Sequence, residues 1–190
     1  MVKLDSKQGE ALIRLARRSI AAKLDVATAE IPGSDLEDPA FREQRGTFVT
    51  LKIKGKLRGC IGSLTAHESI LEGIQRNACN AAFNDLRFPP LSAEELPATA
   101  IEVSILTDAK PLAFTDGRDL ITKLRPHIDG VIIRHGSAGA TFLPQVWEQL
   151  PRPEDFLNHL CMKAMLPQDS WSDPAIKILT YQVQCFHENK

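Results

Sequence analysis

The sequence predicts an α+β fold of antiparallel sheets with packed helices, and three observations carry that prediction. Period-2 alternation recurs at Phe48–Ile53, Leu57–Ser63 and Ile101–Ile105. Capped segments with helical spacing lie between some of these runs but not after each one, unlike a regular βαβ series. The turn Lys54-Gly55-Lys56 joins two runs directly, so those two strands pair antiparallel.

Taken in order, Asp5-Ser6-Lys7-Gln8 has the form of a capping box, and Leu12, Leu15, Ala16, Ser19 and Ile20 follow at helical spacing. A first helix to about Leu24 is expected. Ile31–Pro39 reads as a loop from its Pro, Gly and Asp content. After the hairpin, Thr65-Ala66-His67-Glu68 reads as a second capping box opening a helix that carries Ile70, Leu71, Ile74, Ala78, Ala81 and Ala82. Asn84–Pro90 must be a loop, because its two prolines exclude helix and central strand. Ser92–Glu95 caps a short helical turn before the Ile101–Ile105 strand.

The second half repeats this order. Val131–Arg134 and Thr141–Leu143 flank the small-residue turn Ser137-Ala138-Gly139, a helix follows near Glu154–Leu166, and one last strand runs Ile176–Phe186. Both halves thus read strand-strand-helix-strand, without residue-level identity between them. One domain over 1–190 with a smaller subdomain is expected, with Leu106–Thr115 and Pro151–Pro153 as candidate hinges.

The 190 residues are enough to bury roughly 70% of the unfolded surface, so neither disulfide nor metal is needed for folding. A formal net charge of −1 and 6% aromatic residues disfavour a nucleic-acid binder. The beginning MVKLDSKQGE lacks an apolar signal core, and no apolar run approaches the ~20 residues a bilayer span needs. A cytoplasmic location without membrane contact is the expectation. Cys60, Cys79, Cys161 and Cys185 form no Cys-x-x-Cys pair, and the five histidines show no ligand spacing, so no metal site and no cofactor are assigned.

The richest stretch chemically is Leu57-Arg58-Gly59-Cys60-Ile61-Gly62-Ser63-Leu64. Alternation puts Leu57, Gly59 and Ile61 on one face, toward the core, and Arg58, Cys60 and Gly62 on the other. On that face the Arg58 guanidinium and the start of the Thr65 helix would both stabilise a Cys60 thiolate, making Cys60 a candidate nucleophile. Gly59 and Gly62 would leave room for a ligand to approach the backbone. The plainer alternative is a small buried thiol with glycines serving a bulge or turn.

Three further groups are candidates. Asn84, Asp85 and Arg87 on the Pro-rich loop can orient an anion or polar substrate, or merely pair with each other and cap the preceding helix. Glu102, opposite Ile101 and Val103, is a candidate general base or positioner if its strand shares a sheet with Cys60, and otherwise lies on a solvated face. His135 stands at a strand end, where it is a binding candidate or an exposed turn histidine.

The strings LRGCIGSL, NDLRFPPL, EVSILTD and TFLPQVW, in this order, resemble the AMMECR-domain family, whose prokaryotic members are called AmmeMemoRadiSam system protein A. The resemblance runs from about the first helix to the last strand. Arg58, Gly59, Cys60, Ile61 and Gly62 match its hallmark, Arg87, Phe88 and Pro89 its second motif, and Leu143 and Pro144 its third. It implies a single AMMECR-type domain, an α+β fold and a cleft near the hallmark. It also implies association with a Memo-like protein and a radical-SAM protein. A protein that binds or modifies a small molecule or protein segment at the Arg-Gly-Cys site is one expectation. A non-enzymatic adaptor docking either partner is the other.

Overall fold

The structure, a computed structural model, describes residues 3–28 and 31–188; Met1 and Val2 of the N-terminal reading lie outside them. In chain order the elements are α1 (Ser6–Lys23), β1 (Thr47–Ile53), β2 (Lys56–Ser63), α2 (Ile70–Phe83), β3 (Thr99–Leu106) and β4 (Lys110–Pro111). There follow α3 (Gly117–Lys123), β5 (Gly130–His135), β6 (Ala138–Phe142), α4 (Pro153–Lys163), β7 (Lys177–Tyr181) and β8 (Val183–His187). They form two compact units, Met1–Leu106 with Gln184–Lys190, and Thr107–Val183. The first boundary falls within the Leu106–Thr115 segment expected as a hinge. Pro151–Pro153 lies inside the second unit, where Pro153 opens α4 at a position that needs no N–H donor.

In the first unit the sheet order is β2-β1-β3-β8. Val49, Leu51, Ile101, Val103 and Ile105 turn one face toward α1 and α2 and share a core with Leu12, Ile20, Ile74 and Ala78. α1 starts on the expected capping box, with Gln8 N–H donating to Asp5 and the Gln8 side chain accepting from Asp5 N–H. Such a cap is worth about 1 kcal/mol. The β1–β2 turn has positive φ at Lys54 (51°) and Gly55 (76°), the type I′ pattern that matches strand twist.

α2 departs from expectation by starting at Ile70. Ser69-x-x-Glu72 forms the reciprocal capping box, not Thr65-x-x-Glu68. Both strings fit the pattern; the choice falls to Ser69 because its neighbours are already held, Gln44 bridging Ser69 and Ile70 N–H donating to Glu43. Ile31–Pro39 also carries a 3-10 turn, Gly33–Leu36, within the expected loop.

The second unit repeats the pattern with order β4-β7-β5-β6, all antiparallel. Its α3-β5-β6-α4-β7 succession matches α1-β1-β2-α2-β3, each with the first hairpin strand central and the following strand beside it. Trp147 stacks on Phe156 with ring centres 3.7 Å apart, and its indole N–H donates to Asp129 C=O at 2.7 Å. The β5–β6 turn is Gly136-Ser137, one step earlier than expected. Glycine accepts the positive φ of 58° needed there, leaving Ala138 and Gly139 to pair in β6.

The expected last strand, Ile176–Phe186, is two strands in two sheets. At Gln182 the ladder breaks, because Thr107 N–H donates to Gln182 C=O and Gln182 N–H to the Thr107 hydroxyl. Alternation continues through the break, so sequence periodicity registers a single run. Beyond it, Glu188 holds β8 in place by accepting Ile101 N–H and a bidentate pair from Arg17. Among the described residues no helix is long and apolar enough to cross a membrane.

Candidate functional site

The hairpin register decides which side chains meet. Val49 pairs with Ile61 and Leu51 with Gly59, but Lys52 pairs with Leu57, so Arg58 is an extra residue in a β-bulge. The bulge reverses the expected face on its turn side and leaves Gly59, Cys60 and Ile61 on the faces expected for them. Leu57 joins the Cys60 face and is 43% exposed instead of entering the core. Arg58 leaves that face. Its guanidinium makes a bidentate pair with Glu95, at 2.8 and 2.9 Å, and donates to the carbonyls of Pro89 and Pro90. The arginine draws the Glu95 carboxyl below its usual pKa. Arg58 is thus a brace for the Pro89-Pro90 loop and is fully engaged there.

The two glycines also differ from expectation. A Cβ on Gly59 would lie 2.1 Å from the Ala81 carbonyl oxygen, and one on Gly62 would lie 2.2 Å from the Phe48 ring. The space left by each is filled by the protein itself. Gly59 lets α2 approach the sheet, and Gly62 accommodates the aromatic ring of its cross-strand partner.

Cys60 lies on an edge strand, and the loop after α2 closes that edge. Asp85 accepts Cys60 N–H at 2.9 Å, and Arg87 donates to Cys60 C=O at 3.2 Å. The two side chains together satisfy the peptide groups that a neighbouring strand would otherwise take. Asp85 is buried and binds Arg87 through its N–H, Nε and Nη2. The arginine, and then the Cys60 N–H, hold its carboxyl far below the usual carboxylate range. Asn84 ends α2, with its side-chain amide donating to Asn80. Leu86, between the clamped Asp85 and Arg87, is fully exposed.

On the outer face, register aligns Cys60 of β2 with Thr50 of β1 and Glu102 of β3. The Thr50 hydroxyl donates to Cys60 Sγ at 3.2 Å. Glu102 is not solvated; it is 8% exposed. Its Oε2 receives Lys52 Nζ at 2.8 Å and lies 3.3 Å from His187 Nδ1. Ser104 and Cys185 extend the row, Oγ to Sγ 3.4 Å. With Thr50 between them, Cys60 and Glu102 stand two strands apart, about 10 Å at the backbone. They can flank a bound group but do not touch.

Thr50, Lys52 and His187 were not among the sequence candidates. The signal for the first two was partial: they alternate with Val49, Leu51 and Ile53, but a two-residue turn alone sets Thr50 opposite Gly59, and the bulge at Arg58 is what brings Cys60 opposite Thr50. His187 had no such signal, because its strand changes sheet. His135 belongs to the second unit, at the end of β5, with Nε2 3.8 Å from Asp173. Cys161 is buried in the second core and Cys79 is half-buried; burial raises the pKa of both thiols. Among the described residues no group of three or more His, Cys, Asp or Glu is placed to hold a metal ion.

Comparison with known proteins identifies the lineage of this arrangement. The AMMECR1 family model matches residues 13–186. A protein of Methanothermobacter thermautotrophicus is 38% identical over 98% of this chain and 97% of its own length. Protein MK0488 of Methanopyrus kandleri is 36% identical over 99% and 92%. The crystal structure of the uncharacterized protein PH0010 from Pyrococcus horikoshii superposes with a TM-score of 0.86 at 33% identity, covering 98% of this chain and 94% of that one. The family model takes in both hairpins, the bulged Arg-Gly-Cys strand and the loop that clamps it: the chain belongs to the AMMECR1 family.

Proposed function

We propose that the outer face of the first sheet is a thiol site that binds or modifies a small molecule or protein segment. Cys60 is the reacting or contacting thiol, and Glu102, with Lys52 and His187, the proton-handling group. The observation that carries this reading is the cross-sheet row Cys60–Thr50–Glu102, with a hydroxyl on the sulfur and a cation and an imidazole on the carboxylate. The edge clamp by Asp85 and Arg87 fixes the backbone beneath the thiol, the kind of support a positioned nucleophile needs. The protein acts in the cytoplasm in this reading, with Memo-like and radical-SAM partners.

A second reading, the non-enzymatic adaptor, rests on Leu86. An exposed leucine on a loop held at Asp85, Arg87, Pro89 and Pro90 is a preorganised knob for a partner's apolar pocket. Arg58→Ala does not distinguish the readings, since it releases the loop in either case. Cys60→Ser and Leu86→Ser do. In a deletion strain of the source organism, the thiol reading expects Cys60→Ser to fail in complementation while still capturing the Memo-like protein in a pull-down. Full complementation by Cys60→Ser, with loss of both complementation and capture in Leu86→Ser, would replace the thiol site with the docking knob.

A further inference from the structure

We propose that the second unit carries a separate binding site for a small amphipathic carboxylate, a single carboxylate head on an apolar body. A cavity of about 430 Å³ lies wholly within residues 111–179, in the size range of small-molecule sites. Its origin is a divergence of chains. β4 pairs with β7 only as far as the bond from Leu112 N–H to Ile178 C=O. Beyond that point the chain swings away to α3, while β7 continues back to Lys177. Leu112, Phe114, Pro174, Ile176 and Leu179 supply apolar walls to the gap.

Both sides of the gap are held open by bonds of their own. On one side, Lys123 Nζ donates to Ala113 C=O and Thr115 N–H to the Asp119 carboxylate. On the other, Ile176 and Ala175 N–H groups bond to Asp173. The cavity is therefore preformed, and a ligand entering it need not order a loose segment.

Charge selects the ligand. Arg134 of β5 and Lys177 of β7 are direct cross-strand partners and both line the cavity. Neither side chain makes an ion pair or hydrogen bond among the described residues, and both are exposed. Like charges directly opposite in a sheet repel, and a bridging anion relieves that repulsion. The one carboxylate lining the cavity, Asp116, is committed to capping α3 through Asp119 N–H. Apolar walls with two uncompensated cations at one side match a carboxylate head and a hydrocarbon body. None of the residues belongs to the Cys60 face.

The test uses the full-length protein and sodium octanoate, followed by amide chemical shifts, with 1-octanol as the neutral control. Octanoate is expected to saturate, with the shifts confined to Leu112–Asp116, Arg134 and Ser172–Leu179. Arg134→Ala/Lys177→Ala is expected to weaken binding at least tenfold with circular dichroism unchanged, and Lys177→Arg to retain it. Failure of octanoate to saturate, equal binding by the double variant, or equal binding of 1-octanol would each overturn the site. Unaltered octanoate binding in Cys60→Ser is expected, and its loss there would relocate the ligand and overturn the assignment.

Discussion

Replacing Asp85 with Asn tests whether the loop clamp on Cys60 stabilises the first unit. The carboxylate accepts four bonds: Cys60 N–H at 2.9 Å, Arg87 N–H at 3.2 Å, Arg87 Nε at 2.9 Å and Arg87 Nη2 at 2.7 Å. An amide of the same shape keeps one acceptor oxygen and turns an NH₂ group toward other donors. Hydrogen bonds to a charged partner contribute about 1.5–3 kcal/mol, and one such bond on the buried side is lost. The Arg87 pairing adds under ~1 kcal/mol, because that guanidinium is 57% exposed and screened by water. The expected cost is about 2–3 kcal/mol, lowering the urea midpoint by about 1–2 M in an unfolding curve followed by circular dichroism. The pH dependence has a definite sign. The folded-state pKa is depressed, so the stabilisation is complete above the unfolded value of about 3.9 and is lost as pH falls toward the folded value. Between pH 7 and pH 3 the gap between wild type and Asp85→Asn should narrow by about 1 kcal/mol. Coincident midpoints at pH 7, or a gap unchanged at pH 3, would refute the clamp.

Three other outcomes follow from the same structure. Gly59→Ala forces a methyl to 2.1 Å from the Ala81 carbonyl and should cost about 2–3 kcal/mol in urea unfolding. Gly55→Ala, with open space but φ at 76°, should cost only about 1 kcal/mol; equal costs would contradict the packing account. Tyr181, the single tyrosine, is pushed up to about 12 by burial. Its absorbance at 295 nm should stay flat through pH 10.5 while the protein remains folded. The sign is the reverse of Asp85: this contribution is whole below the unfolded value of about 10 and is lost as pH rises toward 12. In brief iodoacetamide labelling near neutral pH, Cys60 should react ahead of Cys79 and Cys161, whose thiols burial holds protonated. Mass spectrometry showing Cys60 no faster than the fully buried Cys161 would count against an accessible thiol.

By itself, the sequence determined the elements whose cause is local. The capping box at Asp5, a hairpin turn within Lys54-Gly55-Lys56, the alternation of β1 and β3, and the apolar stripe of α4 all follow from spacing alone, although Lys56 itself pairs in β2. The strand-strand-helix-strand order of each half was legible for the same reason. So was the likelihood that the Asp85–Arg87 pair would bond to itself, two residues apart on a Pro-rich loop. Tertiary structure decided what depends on partners distant in the chain. Which of two capping boxes opens α2 depends on Glu43 and Gln44. The β-bulge is set by α2 pressing its Ala81 carbonyl against Gly59 and by Glu95 drawing Arg58 off its expected face. One extra residue there puts Leu57 on the Cys60 face and turns Arg58 to the Pro-rich loop, because side chains alternate with a period of two and a single insertion reverses the faces between it and the turn. The split of the last strand at Gln182 likewise depends on Thr107, seventy-five positions away. Period-2 patterning reports that a residue lies on a strand, but it carries no information about which sheet the strand joins; backbone bonds to a distant segment decide that.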